Sequence, residues 1–549
     1  MTREVKGKRE TEKGEIMVKF NEDSLLWAKK SLMKQGDSDL FPTPFEIEAI
    51  NDKWEFVRNK LLEKDMILNG RDLEVNTKYH WVGGRRAIAP KGRLSFRVAT
   101  QLDPIDSVVL TSLIHQYGQK LENTRIPITK NKVFSYRFKP DTDGHLYDQN
   151  NSWINFWKFS LEYAQNLPDG YILVADISDF YNQVYHHTVE NELDRASIPP
   201  EIKKLIIELL SKLTDRVSRG IPVGPHPSHL LSEISLNPID HLLELNTYHH
   251  CRYSDDIHIF CKNEIQAQIA LYDLVNYLDN NGRLVLQKSK TSIMPSKDFC
   301  KYAEEKIEDI TTSDLEGEIL RIIDKYSFGD RYAKIRYNTL SLQERALFTE
   351  ENLEKIFVKY VDDKDPNFKR LRWLLRRLAQ VGPPEGIPFL ITNLKDLMPA
   401  LEDICTYIIS TENTYSGRWE ELGDELILDL ELPIVNHSEY LQMTLISLFS
   451  KISDLNHIDK LLSMYDKSSP TVRRKIVNAA TKAHENYWLF SRRDQLRESG
   501  TWLRRSIILG ASTFTVDERN AWLAKIIKDS NYTFLEQIVA QWVKNGGKI

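Results

Sequence analysis

Residues 171–181 read Tyr-Ile-Leu-Val-Ala-Asp-Ile-Ser-Asp-Phe-Tyr, an apolar run that ends abruptly in Asp176. Such a run predicts a buried strand. A carboxylate where that strand emerges to solvent is well placed to hold a divalent cation, because Mg²⁺ takes hard oxygen ligands. A second stretch, Arg252-Tyr-Ser-Asp-Asp-Ile-His-Ile-Phe260, puts Asp255 and Asp256 at a turn between two apolar strands. Adjacent acids repel each other, and a tight hairpin turn would favour Asn-Gly or Asp-Gly. By itself an Asp-Asp pair is more often a solvated hairpin tip. Together with Asp176 it asks for compensating charge, which two Mg²⁺ about 3.5–4 Å apart would supply while activating a hydroxyl and neutralising phosphate. Asp176 and Asp255 would bridge them.

Between the two acidic stretches lies Arg219-Gly-Ile-Pro-Val-Gly-Pro-His-Pro-Ser-His-Leu-Leu-Ser-Glu233, a Gly/Pro-rich turn entering an apolar helix. The backbone at Gly224 could approach a base or sugar closely, and Ser228 sits where a helix cap is expected. After the acidic hairpin comes Leu284-Val-Leu-Gln-Lys-Ser-Lys-Thr291, whose Lys290 could meet a triphosphate or protonate departing pyrophosphate. Upstream, the stretch from Arg85 to Arg97 is strongly basic. Its Lys91, Arg93 and Arg97 are candidates to grip triphosphate oxygens. His186 and His187 are read as packing or backbone-bonding residues, since a magnesium site is built from oxygens.

In this order and at these separations, DISDFY, RGIPVGPHPSHLLSE, YSDD and LVLQKSKT resemble motifs A, B, C and D of the reverse-transcriptase palm. The resemblance implies a nucleotidyltransferase with Asp176, Ile177, Asp255 and Asp256 around two Mg²⁺ (or Mn²⁺) ions, and Lys290 beside them. Tyr181 stands where the family has its steric gate, which implies dNTP substrates. Val223 replaces the glutamine of most templated relatives, and valine can only pack where glutamine can hydrogen-bond. That departure, with GDSDLFPTPFEIEAI before the palm, VFSYRF at 133–138 and a long helical C-terminus, is similar to abortive-infection and related defence-associated bacterial reverse transcriptases. Several of these extend DNA from a protein hydroxyl without a template, form homo-oligomers and protect cells against phage. The resemblance therefore implies a covalently attached single-stranded DNA product, a phage-encoded trigger and a bacterial cytoplasmic home. The priming hydroxyl is left open, except that no tyrosine precedes Tyr79.

The rest of the 549 residues sets the frame. Lys and Arg number 74 against 79 Asp and Glu, a net charge of −5, so nucleic acid would have to be met by local basic clusters. The four cysteines, Cys251, Cys261, Cys300 and Cys405, form no CxxC pair, which excludes a Cys-rich zinc site and favours a reducing compartment. No run of about 18 apolar residues suggests a membrane span. The expected fold is α+β: a tail and helical lead-in over 1–78, reverse-transcriptase-like fingers and palm over 79–310, and an all-α HEAT-like repeat domain over 311–549. In that last part Arg370, Arg372, Arg376, Arg377, Arg473, Arg474, Lys475, Arg492, Arg493, Arg504 and Arg505 could line a channel for single-stranded product, with Trp373, Trp488 and Trp502 stacking on bases. The competing enzyme reading is a template-copying RNA-directed DNA polymerase using a dedicated RNA, retron-like or mobile-element-derived. A non-enzymatic scaffold is disfavoured by the intact acids.

Overall fold

Apolar alternation in residues 171–176 produces the central strand of a sheet, as the sequence predicts. In the computed structural model, which describes residues 20–62, 79–149, 152–308, 314–327, 333–361 and 366–549, six strands form two sheets. The expected N-terminal tail (1–15) and the expected border at 310/311 lie outside these residues. The hairpin of β1 (Gly84–Gly92) and β2 (Ser95–Leu102) is antiparallel. The second sheet has the order β4 (His249–Tyr253), β5 (Asp256–Cys261), β3 (Tyr171–Asp176) and β6 (Ser292–Pro295), with every neighbouring pair antiparallel.

Period-two alternation divides this sheet between two cores. Ile172 and Phe260 face Phe156, Trp157 and Phe299, which come from the helices Trp153–Gln165 and Ser296–Glu308. Leu173, Ala175, Ile257 and Ile259 face the opposite way, toward Ala267, Ala270, Leu274 and Leu278 of the helix Glu264–Gly282. Asp176 and Asp256 are directly opposite each other at the end of the β3–β5 ladder. The alternation thus puts both on the face that the aromatic core covers lower down.

Helices frame the sheets on either side in sequence. We label α1 Glu22–Gln35, α2 Glu46–Asp52 and α3 Pro104–Glu122, which pack together ahead of the four-stranded sheet. Beyond residue 314 every described element is helical. There α4 (Phe368–Leu378), α5 (Leu401–Ser410), α6 (Glu439–Phe449), α7 (Pro470–Lys482), α8 (Thr501–Gly510) and α9 (Phe534–Lys544) each pack on the next. The array folds back on the front of the chain: β1 packs on α6, and α2 on α9. Two ring pairs mark the seam, Phe41 with Tyr440 at 5.9 Å and Phe45 with Trp542 at 6.2 Å. Among the described residues no helix is long and apolar enough to cross a membrane.

This return corrects the expected product channel. Most of its basic side chains are already engaged inside the protein. Arg474 binds Glu46 through both guanidinium nitrogens at 2.8 and 2.7 Å, and Arg505 binds Glu46 at 2.7 Å and Asp103 at 2.6 Å. Arg370 pairs with Glu316 at 2.7 Å, Arg376 with Asp403, and Arg377 with Asp324. Arg473, Arg493 and Arg504 donate to the carbonyls of Tyr465, Phe490 and Ser499. Trp502 is enclosed by the guanidiniums of Arg85, Arg474 and Arg505 at 4.7, 5.0 and 4.6 Å, and Trp488 lies against Tyr465 and Arg492, so neither ring is free for a base. Arg474 and Arg505 bind the array to the front of the chain, and the other arginines join parts of the array to one another.

Candidate functional site

Three carboxylates meet at the top of β3 and β5. The Ile177 amide donates to the Asp255 carbonyl at 3.1 Å, which ties the strand end of the first acid to the turn bearing the second. That turn is held by a left-handed residue, Ser254, with φ of 55°. Ser254 donates its amide to the Ser135 hydroxyl at 2.8 Å, and Ser135 in turn donates to Glu233 at 2.6 Å. Glu233 also receives Arg125 and Arg252, both at 2.7 Å, and Arg252 forks onto Asp240 with two bonds of 2.7 Å. All four charged groups are buried, so the acidic turn is mounted on a desolvated ion network in which each charge has a partner.

The electrostatics match the crowding. Burial raises the Asp255 carboxyl above its usual range, with Asp176 adding to the effect. Burial, then Asp255 and Asp176, push Asp256 up to about 7. Lys290 counters part of this. Its ammonium donates to Asp176 at 2.7 Å, and that bond helps to raise the lysine's pKa against the desolvation that lowers it. A cluster of hard oxygen donors with surplus negative charge is the donor chemistry that Mg²⁺ requires, so the residues present fit the ion by chemistry. Their positions are not preassembled for it: among the described residues no three His, Cys, Asp or Glu side chains stand around one point as metal ligands would. Lys290 holds one Asp176 oxygen instead. Ile177, whose side chain lies in the core, could offer such an ion only its backbone carbonyl.

The predicted nucleotide-contacting residues separate into two groups. Tyr181 comes next to the acids, half-buried, with its hydroxyl 2.7 Å from His229 Nδ1. The His229 ring stacks on Tyr136 at 4.1 Å and 10° between planes. Lys91 is exposed on the hairpin and close enough to act on the Asp255 charge; Arg97 is half-buried lower on β2, while Arg93 is exposed at the hairpin tip.

Gly224 and Ser228 do not play the parts expected of them. At Gly224, with φ of 129°, a Cβ would stand 2.6 Å from the Thr100 carbonyl and 2.9 Å from the Ser38 hydroxyl. The glycine is there so that the turn can lie against β2, where the Thr100 amide donates to the Val223 carbonyl at 2.8 Å. Ser228 is fully buried and is the first residue of its helix, with Pro227 in the cap position, so it neither caps nor reaches a nucleotide. His186 bears out the packing reading: it is buried, with Nε2 2.9 Å from the Gly220 carbonyl.

Sequence reasoning missed His229, Glu233, Asp240 and Ser135. For His229 the signal was present, four residues beyond the Gly-Pro turn on the helix facing Tyr181. Glu233 and Asp240 read as ordinary helix acids, because the partner that buries them, Arg252, lies in a different motif.

Residues 100–304 match the family model of reverse transcriptase (RNA-dependent DNA polymerase), so this part of the chain is a nucleotidyltransferase domain of that type. Solved structures similar to the chain include telomerase from Candida albicans in complex with a TWJ fragment of telomeric RNA, at 12% identity over 72% of this chain and 70% of that one, TM-score 0.30. Apo telomerase from Candida tropicalis is similar at 11% identity over 68% and 70%, TM-score 0.32. None of the curated proteins matches the chain.

Proposed function

We propose that the protein is a DNA polymerase of an anti-phage abortive-infection system, which extends DNA from one of its own hydroxyls without a template and keeps the single-stranded product attached. The observation that carries polymerisation is the meeting of Asp176, Asp255 and Asp256 with Lys290 inside the matched region. Asp176, Asp255 and Asp256, with the Ile177 carbonyl, would hold two Mg²⁺ or Mn²⁺ ions. When bound, such ions lower the pKa of the attacking hydroxyl and neutralise phosphate charge. The chain's own residues do the rest. Lys290, kept protonated beside the acids, is the group poised to give a proton to departing pyrophosphate. Tyr181 fills the space beneath the sugar and selects dNTPs. Lys91, Arg93 and Arg97 serve the triphosphate.

Independence from a template is supported by Val223, which offers a template no side-chain hydrogen bond and whose carbonyl is already taken by the Thr100 amide. The anti-phage role, the protein primer, the homo-oligomer and the phage trigger rest on the likeness to abortive-infection reverse transcriptases. Serial packing of α4 through α9 supports reading the helical region, about 311–549, as a HEAT-like array.

The second reading, a template-copying enzyme using a dedicated RNA, is favoured by the family description itself. Incubating the purified chain with Mg²⁺ and each labelled dNTP, with neither primer nor template, separates the two. Label that stays on the polypeptide through denaturation and is lost in Asp255→Ala supports self-primed synthesis. Synthesis that appears only with added RNA supports the second reading. No incorporation under either condition refutes both.

A further inference from the structure

The arginines of α4 divide by face. Arg370 and Arg377 turn inward to Glu316 and Asp324, and Arg376 holds Asp403. Lys369, Arg372 and Arg376 follow one another at helical spacing on the other face, where Arg376 is held by Asp403 and Arg372 comes near Arg97 of the β1–β2 hairpin. Lys369 rests over the Trp153 ring at 4.2 Å. Its side chain is exposed, yet enough protein surrounds it to disfavour its charge, while Asp256 and Asp255 act on it favourably. The strongest charged neighbour of Arg372 is another guanidinium, that of Arg97 on β2. Among the described residues neither arginine has a hydrogen bond or ion pair of its own, and Arg97 Nε is buried without a partner.

Several packed arginines of this molecule, Arg125, Arg252, Arg370, Arg474 and Arg505 among them, are matched to carboxylates. Arg97 and Arg372, from segments 275 residues apart in the chain (372 − 97), act on each other unfavourably; Asp403 and Asp39 offset part of this at Arg372, and Lys369 adds a further positive charge toward Asp255 and Asp256. A planar guanidinium in such a position grips phosphate oxygens with two parallel bonds.

We propose that Lys369 and Arg372 of the helical array join Arg97 of the hairpin to form a phosphate-binding site beside the palm acids, so that the array completes the polymerase cleft. The site rests on the polymerase reading for its purpose but not for its existence. The phosphates have two sources, the triphosphate of an incoming nucleotide or the backbone of a strand, and the charge of Lys369 toward Asp255 and Asp256 suits the first.

The test is equilibrium binding by the full chain at low salt, using inorganic tripolyphosphate and, separately, a fluorescent oligothymidylate. Arg372→Gln and Lys369→Gln are each expected to weaken tripolyphosphate binding about tenfold. Arg372→Lys should recover part of the loss, and Lys355→Ala, on a distant exposed ion pair, should change nothing. Loss confined to oligothymidylate, with a salt slope smaller by about one, would assign the site to strand phosphates. Lys369 is exposed, so its variant reports even where Arg372→Gln folds poorly. Tripolyphosphate and oligothymidylate affinities that are both unchanged in the two Gln variants, or a wild-type chain that binds neither probe, would overturn the site. A chain that binds tripolyphosphate through these residues yet incorporates no nucleotide would leave the site standing and sink the polymerase reading instead.

Discussion

Tyr181 owes its orientation to His229. A phenol ring can exclude a 2′-hydroxyl only while it is held in place, and here the hydroxyl is bonded to an imidazole that is itself clamped by Tyr136. Burial lowers His229 to about 4 and raises Tyr181 well above its ordinary value, so neither group titrates near neutrality. Tyr181→Ala should reduce the preference for dNTPs over rNTPs by at least about tenfold, the scale of losing a well-fitted steric contact. His229→Ala should reduce it by about two- to tenfold, the scale of one net hydrogen bond. The ratio of kcat/KM for the two nucleotide classes measures both. In the wild type that ratio should stay flat between about pH 6 and about pH 9; a break near the ordinary histidine pKa of about 6.5 would mean that His229 is not sequestered as described.

Elements are joined here by one short charge network rather than by a broad polar surface. Glu46 begins α2, Asp103 caps α3 by accepting the Ile105 amide at 3.2 Å, and Arg474 and Arg505 come from α7 and α8. The two guanidiniums hold Glu46 down to about 2 against the burial that would raise it. Removing the shared carboxylate leaves two buried cations short of a partner, so Glu46→Ala should cost about 3–5 kcal/mol in urea unfolding. Glu351→Ala, which breaks the exposed pair with Lys355, should leave the urea midpoint unchanged.

This difference also explains what could be read in advance. Asp176, Asp255, Asp256 and Lys290 were legible because strand-end acids and a turn carry a local signature, and the α+β mixture followed from alternation in β3 and β5. The roles of Arg474 and Arg505 were not legible, because their partners sit more than 400 residues earlier in the chain (474 − 46 and 505 − 103). An exposed product-binding arginine and a buried structural one look alike on an amphipathic helix. Gly224 misled for a related reason: the turn was visible, but the strand lying against it was not.

At the scale of the whole molecule, one hydrophobic core runs from Phe20 ahead of the four-stranded sheet to Val543 in α9. Cutting the chain near residue 310 would strip Phe41, Phe45 and the face of β1 of their cover. A 20–310 fragment should therefore be insoluble alone and recover when co-expressed with 311–549, as gel filtration would report; a monodisperse, folded fragment would contradict the shared core.

The same burial sets the response to pH, through two groups of opposite sign. Burial lowers His250 and His229 to about 4, so between about 6.5 and 4 the unfolded chain binds protons that the folded one refuses. Their contribution is present above about pH 6.5 and fades as pH falls, by about 1.4 kcal/mol per pH unit for each histidine. Burial raises Asp37 and Asp106 to about 7, so over much of that range the folded chain holds protons that the unfolded one has lost, and their contribution fades as pH rises. The two contributions offset each other in part between about pH 4 and about pH 6.5; below about pH 4.5 the unfolded chain protonates Glu46 while the fold keeps it ionised down to about 2, so the stability from that carboxylate is lost over this range. Asp37→Asn isolates one side of the balance. Relative to wild type its urea midpoint should rise progressively from about pH 5 to about pH 8, because the variant no longer has to ionise a buried carboxyl. A difference that stayed constant across that interval would show Asp37 to be ionised in the fold at every pH tested.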